Sequence, residues 1–324
     1  MRIVITGGAG FLGQRVARAL LERGGLGGEP GAATELTELL LVDQMMPPGG
    51  GLDERVRFLS GDVADPAFIA RVFGAPTDAV FHLAAVVSAG AEADFDLGYR
   101  VNLDATRIVM EACRRQSVPP RVVFTSSVAA FGGALPEVVD DATAVTPQSS
   151  YGTQKVIGEL LISDYTRKGF VDGRCVRLPT IVVRPGRPNR AASGFMSNIL
   201  REPLNGEPAV CPVSADARMW IASPGRAVDA LIRAIELPPS AWGWKRTLNA
   251  PGITVSVTEA LDALAKLAGA QCAARVRFER DPAIEKIVLG WPARFSTVRA
   301  DAMGFEADSG IDAVIQAHMR TLAL

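Results

Sequence analysis

The sequence predicts an α/β fold, with a doubly wound parallel sheet and a smaller, interleaved C-terminal domain. Over the first 178 residues, short β-branched runs alternate with segments whose apolar residues repeat at helical spacing. Parallel strands joined by crossover helices give this alternation. After Leu178 the chain becomes rich in proline and irregular. A length of 324 residues also exceeds what one ordinary core organises.

The predicted strands are short apolar runs bounded by polar residues or glycines. They are Arg2–Thr6, Glu38–Val42, Val56–Ser60, Ala79–Leu83, Arg121–Thr125 and Arg174–Leu178. Between them, residues 11–20 and 101–112 carry apolar side chains at helical spacing. The glycine-rich insertion Gly24–Gly31 follows the first helix and is interpreted as a surface loop, with a ligand-binding loop as the alternative.

The chain after Leu178 is expected to combine an irregular segment with amphipathic helices. Residues 179–224 are irregular, and amphipathic helices are expected at Arg226–Leu237, Val257–Leu267 and Asp312–Leu322. The first of these helices is expected to return to the sheet. We therefore expect one domain over residues 1–178 with the return helix near 226–237, and a second formed mainly by residues 179–324.

Composition excludes several classes of function. The 34 Lys and Arg residues nearly balance 35 Asp and Glu residues, so no bulk electrostatic attraction to nucleic acid or a membrane surface is expected. Two histidines, His82 and His318, cannot form a three-histidine zinc site. The cysteines, at positions 113, 175, 211 and 272, show no paired metal spacing, so no metal is expected. They are typical of buried thiols in a reducing compartment, with a disulfide framework as the alternative.

The amino terminus bears on location. Residues 1–6 contain one basic residue and a three-residue apolar run, which is too short for a signal peptide. The sequence has no stretch of 18 uninterrupted apolar residues. These features predict a cytoplasmic protein.

A glycine-rich turn follows the first predicted strand and opens the first helix. Gly7, Gly10 and Gly13 have the spacing GxxGxxG, with Phe11 and Leu12 inside the turn. Glycines here permit a tight turn, close approach of a pyrophosphate and close helix–sheet packing, while the helix amino terminus holds the phosphates. The position predicts dinucleotide binding, although a turn can need glycine for its dihedral angles alone.

Two acidic residues follow neighbouring predicted strands. Asp43 ends the second strand, where a carboxylate accepts hydrogen bonds from ribose hydroxyls and repels a 2′-phosphate, so NAD is favoured over NADP. It lies thirty residues after Gly13, and the glycine-rich insertion accounts for the unusual distance. The alternative is a solvated strand-end aspartate. Asp62, before Val63, is a candidate for the adenine amino group or a turn residue.

Tyr151 and Lys155 lie one helical turn apart, on one face. A free phenol has a pKa near 10. A neighbouring ammonium and a positive nicotinamide ring lower it toward working pH, which makes the tyrosine a candidate general base. Alone, the pair is also typical of two exposed helix residues. The preceding strand ends in Ser126 and Ser127, however, at the sheet edge where ligands of open α/β folds bind.

Taken together, these motifs resemble the extended branch of the short-chain dehydrogenase/reductase superfamily, which comprises NAD-dependent epimerases, dehydratases and dehydrogenases with a Rossmann-type fold. The resemblance covers most of the chain. The motifs are Thr6–Gly13, Gly61-Asp62, His82–Ala85, Asn102, Ser126-Ser127, Phe131-Gly132 and Thr146–Lys155.

The resemblance implies roles for these residues. Tyr151 would accept the proton, Lys155 would bind the nicotinamide ribose, and Ser127 would position the substrate, with Ser126 as second choice. Asn102 is similar to the family asparagine near the catalytic lysine. The residues implied to line the cofactor are Leu83, Ala84, Ala85 and Pro179.

The resemblance also leaves some positions outside the chemistry. Phe131 replaces the usual tyrosine, a departure expected to affect packing, and His82 is expected to be structural. Family members commonly dimerise through helices similar to those at 101–115 and 151–166, so a homodimer is expected.

The substrate prediction depends on the segment after the sixth strand. Guanidinium groups suit bidentate capture of a carboxylate. The candidate substrate residues here suggest a small polyhydroxy acid, although such arginines also occur on solvated loops or in ion pairs; they are Ser88, Arg184, Arg187, Asn189 and Ser193. The segment resembles a sugar-acid dehydrogenase of that branch, which implies oxidation of a C2 hydroxyl by NAD. The alternatives are a nucleotide-sugar epimerase or dehydratase that retains its cofactor, and a dinucleotide-sensing regulatory protein.

Overall fold

The computed structural model describes residues 1–27, 34–45, 53–186 and 192–322. The strands, numbered in chain order, are β1 Arg2–Thr6, β2 Gly25–Leu26, β3 Thr34–Glu35, β4 Glu38–Asp43, β5 Val56–Ser60, β6 Ala79–His82, β7 Arg121–Ser127, β8 Asp172–Leu178, β9 Thr180–Ile181, β10 Ala209–Cys211, β11 Arg218–Ala222, β12 Thr247–Asn249, β13 Ile253–Ser256 and β14 Val276–Phe278.

The α-helices are α1 Phe11–Arg23, α2 Pro66–Val72, α3 Ser88–Ala93, α4 Phe95–Tyr99, α5 Ala105–Arg114, α6 Ser150–Arg167, α7 Gly194–Leu204, α8 Pro224–Glu236, α9 Pro239–Trp242, α10 Val257–Ala268, α11 Ala270–Ala273, α12 Pro282–Leu289, α13 Val298–Ala302 and α14 Ile311–Leu322. A π-helical turn, Arg100–Asp104, joins α4 to α5, and a short 3₁₀ turn, Val128–Ala130, follows β7.

The chain forms two compact units. The first comprises residues 1–130, 149–177 and 228–248, and the second residues 131–148, 178–227 and 249–324. Both units are built from separate stretches of the chain.

A seven-stranded sheet organises the described part of the first unit, in the order β12-β8-β7-β6-β1-β4-β5. β1 pairs in parallel with β4 and β6, β4 with β5, and β6 with β7. The doubly wound α/β prediction is therefore confirmed. All six predicted strands form, with end differences of one or two residues, because buried Val, Ile and Leu favour a sheet covered on both faces.

The core of the first unit packs helices against the sheet. Val4, Leu40, Val80 and Val122, from four neighbouring strands, belong to one apolar cluster with residues of α2, α5 and α6. The end of β7 is therefore held in place against α6, since side chains in a packed core tolerate little displacement.

The second unit has its own apolar core. Strands β13, β11 and β9 form one small sheet, and β10 pairs with β14 in another. The core side chains include Val182, Ile199, Ile221, Leu264 and Ile315. Helices α10 and α14 form close to the positions predicted from apolar spacing.

Candidate functional site

The β1–α1 turn forms a glycine cradle at the carboxyl edge of the sheet. Gly7 has φ +71°, which favours glycine, and a Cβ there would lie 2.8 Å from the Ala84 nitrogen. A Cβ on Gly13 would lie 2.2 Å from the Gly7 carbonyl oxygen. Gly10 caps α1 with no side-chain hydrogen bond, so the first helical N–H groups point outward. This arrangement suits a pyrophosphate.

Asp43 ends β4 beside that cradle. Its Oδ2 accepts the Ala9 N–H at 3.0 Å, and its Oδ1 accepts the Gln44 N–H at 2.8 Å. The carboxylate therefore holds the glycine turn as well as standing where a ribose contact was predicted. Sequence reasoning missed this second role, because the bond joins residues 34 positions apart.

Asp62 follows β5, which neighbours β4 in the sheet. Its Oδ1 accepts the Ala64 N–H at 2.9 Å, and Arg100 donates to Oδ2 at 2.5 Å. Burial opposes ionisation, but these two donors lower the pKa of Asp62 below its ordinary value. Asp62 therefore makes the hydrogen bond of a turn residue. A contact to the adenine amino group would use a carboxylate that is also bonded to Arg100. Val63 beside it is buried in the core.

Tyr151 and Lys155 lie in the first two turns of α6. Ser149 caps the helix N-terminus, and its Oγ accepts the Gly152 N–H at 3.1 Å. Lys155 is buried, with its Nζ 4.8 Å from the centre of the Phe124 ring and 5.5 Å from that of Tyr151. Burial lowers the pKa of Lys155 to about 8, with Glu159 opposing the shift. The phenol and the ammonium are therefore neighbours in a largely dry environment.

Close approach of α6 to β7 depends on Gly158. A Cβ at this position would lie 2.6 Å from the Phe124 ring. The missing side chain lets the helix pack directly on that ring, one turn beyond Lys155. Sequence reasoning missed this requirement, since a helical glycine carries no signal of which ring it meets.

The two serines at the end of β7 differ in their surroundings. Ser126 is buried and donates to Glu159 Oε1 at 2.5 Å. Ser127 is half-buried, and its Oγ accepts the Ala129 N–H at 3.1 Å, which leaves its hydroxyl proton to donate elsewhere. The geometry favours Ser127 over Ser126 as the substrate serine.

A buried ion pair lies behind these serines. Arg177 of β8 binds Glu159 through two hydrogen bonds, of 2.8 and 2.7 Å. Both side chains are buried, so each charge depends on the other. Sequence reasoning missed the pair. The available signal was that two arginines, Arg174 and Arg177, lie in a strand buried on both faces.

Asn102 occupies the π-helical turn. Its Oδ1 accepts the Val86 N–H at 2.8 Å, and its Nδ2 donates to the Val86 carbonyl and to Gln154 Oε1 at 2.9 and 2.7 Å. These bonds make Asn102 a clamp on the chain after β6 and tie it to Gln154, the residue before Lys155. Such turns are often found at functional sites.

His82 is completely buried at the end of β6 and bonded to two threonines, as expected for a structural residue. Burial, with a smaller contribution from Lys155, lowers the pKa of His82 to about 3. The side chain therefore stays neutral at physiological pH. Leu83, Ala84 and Ala85 follow it at the carboxyl edge of the sheet, next to the Gly7 turn.

The substrate candidates fall in both units. Ser88 begins α3 in the first unit. In the second unit, Arg184 donates to Ser193 Oγ at 2.8 Å and to the Ile181 carbonyl at 3.1 Å. Arg201 donates to the Arg184 carbonyl at 2.6 Å. Arg184 and Ser193 therefore come together, while Arg187 and Asn189 lie outside the described residues.

Two further positions complete the predicted set. Pro179 is buried between β8 and β9. Phe131 is buried in the second unit, with its ring 5.7 Å from that of Phe295, so it contributes to packing.

Metal clusters and membrane-spanning helices are absent from the described residues. They contain no group of three or more His, Cys, Asp or Glu residues placed to hold a metal ion. No helix among them is long and apolar enough to cross a bilayer. The four cysteines are buried free thiols.

Comparison with known proteins identifies the family of the chain. Residues 3–240 match the model of the NAD dependent epimerase/dehydratase family. The chain belongs to this family. The protein is accordingly an NAD-dependent oxidoreductase of the epimerase/dehydratase family, and the uncapped helix, the glycine cradle and Asp43 fit a bound NAD.

Individual relatives cover nearly the whole chain. A D-erythronate dehydrogenase of Cupriavidus necator is 53% identical over 100% of this chain and 99% of its own length. One of Haemophilus influenzae is 47% identical over 98% of each. A crystal structure of a nucleoside-diphosphate-sugar epimerase from Agrobacterium tumefaciens superposes with a TM-score of 0.93, at 43% identity, over 99% of this chain and 94% of that one.

Proposed function

We propose that the protein is an NAD-dependent sugar-acid dehydrogenase that oxidises the C2 hydroxyl of D-erythronate to give 2-oxo-D-erythronate. The observation that carries the proposal is the full-length similarity to two D-erythronate dehydrogenases from different bacteria, at 53% and 47% identity. Substrate specificity within one fold depends on the whole pocket, so similarity along the entire chain supports it better than a shared motif.

Tyr151 is proposed as the general base. In the reaction, the C2 hydroxyl gives its proton to the Tyr151 phenolate while the C2–H bond breaks. NAD, when bound, supplies the acceptor for the hydride from C2. The neighbouring Lys155 ammonium supports the proposal, because a positive charge beside a phenol favours its ionised form. Lys155 would also bind the nicotinamide ribose, and Ser127 would hold the substrate hydroxyl beside the phenol.

The substrate carboxylate is proposed to bind arginine. Arg184 offers a guanidinium held in place by the Ser193 hydroxyl and the Ile181 carbonyl, while Arg201 holds the Arg184 backbone carbonyl. A guanidinium with restricted rotamers loses less entropy on binding a carboxylate than a free one. Ser88, Arg187 and Asn189 remain candidates for the polyhydroxy chain.

The direct test is production of NADH. The purified protein is incubated with NAD and a panel of aldonates and uronates that includes D-erythronate, and absorbance of NADH is followed. The proposal expects net NADH with D-erythronate and less with the other acids. Absence of NADH with every acid would overturn it.

A nucleotide-sugar epimerase is the second candidate, because the Agrobacterium structure that superposes so closely is described as a nucleoside-diphosphate-sugar epimerase. In that reaction the hydride returns to the sugar, and NAD emerges unchanged. This alternative would be established if the protein converted a nucleotide sugar without net NADH and produced no NADH with any of the acids.

We also propose that the protein acts in the cytoplasm as a homodimer. The exposed Leu160 of α6 supplies apolar surface on one of the two helices expected to pair. Light scattering on the purified protein distinguishes a dimer from a monomer.

A further inference from the structure

A chain of buried hydrogen bonds crosses the first unit beneath the candidate cofactor site. Thr6 Oγ1 lies 2.7 Å from His82 Nδ1, and His82 Nε2 lies 2.9 Å from Thr106 Oγ1. Thr106 donates to the Asn102 carbonyl at 2.8 Å, and Thr6 Oγ1 accepts the Ala84 N–H at 3.3 Å. The side chains of Thr6, His82 and Thr106 are all fully buried. The chain therefore joins β1, β6 and α5 without exposure to water.

The direction of each bond follows from the number of protons. The Thr106 hydroxyl has one proton, and the Asn102 carbonyl takes it. Toward His82, the same oxygen must accept, so the imidazole carries its proton on Nε2. In the neutral ring, Nδ1 is then bare and accepts the proton of Thr6 Oγ1. One tautomer satisfies every bond in the chain.

Both ends of the chain reach the segment Leu83–Val86. Thr6 holds the Ala84 N–H, while Asn102 holds the N–H and the carbonyl of Val86. Thr106 bonds to the backbone of Asn102 itself. Leu83–Val86 is thus held by hydrogen bonds at Ala84 and at Val86, and His82 links the side chains that make them.

We propose that His82 is a positioning residue, which as the neutral Nε2–H tautomer links Thr6 to Thr106 and so holds Leu83–Val86 in the shape that receives NAD. The inference rests on the proposed placement of the cofactor along this segment. His82 itself contacts neither substrate nor cofactor, because it is covered on every side.

The tautomer is tested first, by nitrogen NMR of the histidine-labelled protein without cofactor. The chain has only two histidines, so the variant His318→Asn leaves the ring of His82 alone in the spectrum. The proposal expects one protonated nitrogen assigned to Nε2, one bare nitrogen assigned to Nδ1, and no change across about pH 5 to 8. A proton on Nδ1, or titration in this range, would overturn it.

The positioning effect is tested by binding of NAD, measured by titration calorimetry. Thr106→Val keeps the side-chain shape but removes the hydroxyl, and it is expected to weaken NAD binding about fivefold to tenfold, since the link from His82 through Thr106 to Asn102 is lost. Thr106→Ser restores the hydroxyl and is expected to restore both binding and the Nε2–H signal.

Thr77→Val is the matched control. Thr77 is a buried threonine of the first unit whose hydroxyl accepts from Arg2 and donates to the Ala75 carbonyl, away from the site. It is expected to lose thermal stability yet bind NAD normally. Equal weakening in Thr77→Val and Thr106→Val, or normal binding in Thr106→Val, would overturn the positioning role. Because binding needs no turnover, these results stand apart from any failure to oxidise a sugar acid.

Discussion

The two units place their candidate functional residues in different ways. In the first unit, Asp43, Ser127 and the glycine turn stand at the ends of neighbouring parallel strands, so strand order alone brings them to one edge. In the second unit, Arg184 lies after the short strand β9, and its guanidinium donates to Ser193 Oγ and to the Ile181 carbonyl. Strand pairing therefore positions the candidate cofactor and catalytic residues, whereas chain outside regular pairing carries the residues proposed to select the substrate. Substitutions in the first unit should therefore change turnover or cofactor binding, and those in the second should change substrate affinity.

The largest effect is expected from Tyr151→Phe. Loss of the phenolic oxygen removes the proposed base, and kcat should fall about 10²- to 10⁴-fold. Calorimetric titration should show unchanged NAD affinity. Tyr165→Phe, which removes a phenol from the other end of α6 where it bonds to Glu111, is the matched control and should keep its activity. Full activity in Tyr151→Phe would place the base elsewhere.

Lys155 should make stability depend on pH. Burial lowers its pKa from 10.5 to about 8, so the folded state loses this proton while the unfolded chain still holds it. The ammonium therefore destabilises the fold below about pH 8, and the penalty is relieved as pH rises toward 10.5.

Relative to Lys155→Met, the free energy of unfolding should rise by about 3 kcal/mol across that interval, the equivalent of the shift in pKa. Urea unfolding of both proteins at a series of pH values measures the difference. Lys168→Met, at the exposed end of the same helix, keeps Lys155 and should show the same rise as the native protein. Parallel curves for the native protein and Lys155→Met would contradict the burial of its charge.

Asp43→Asn should relax the preference for NAD. Asparagine keeps an oxygen for the Ala9 N–H but loses the charge that is expected to bind the ribose and repel a 2′-phosphate. NAD affinity is expected to fall about tenfold or more, as for a hydrogen bond to a charged group, while NADP affinity rises. An unaltered ratio of the two dissociation constants would argue that Asp43 serves only the glycine turn.

The smallest effect is expected in the second unit. Arg184→Ala should raise KM for the sugar acid about tenfold with little change in kcat, because it removes a contact made equally in the ground and transition states. Arg218→Ala, an exposed arginine of the same unit, is the control. A large fall in kcat for Arg184→Ala would contradict the expectation that substitutions in the second unit change substrate affinity and not turnover.

The sequence predicted the parts of the site that follow from strand order. Tyr151 and Lys155 became candidates through their spacing, and the glycine turn and Asp43 through their positions after apolar runs. The partners of these residues were not predictable. Glu159 and Arg177 are 18 positions apart, and Ser126 reaches Glu159 across 33. Single-sequence periodicity reports which face is buried but not which buried polar groups meet.

Local chemistry therefore determined the sheet, the helices and the cofactor turn, because apolar period, glycine conformation and helix capping act over a few residues. Tertiary structure alone decided that Ser126 is bonded to Glu159, that Asn102 clamps Val86, and that His82 carries its proton on Nε2. Each of these depends on satisfying a buried polar atom. The required partner is supplied by whichever distant strand or helix the fold brings within hydrogen-bonding distance.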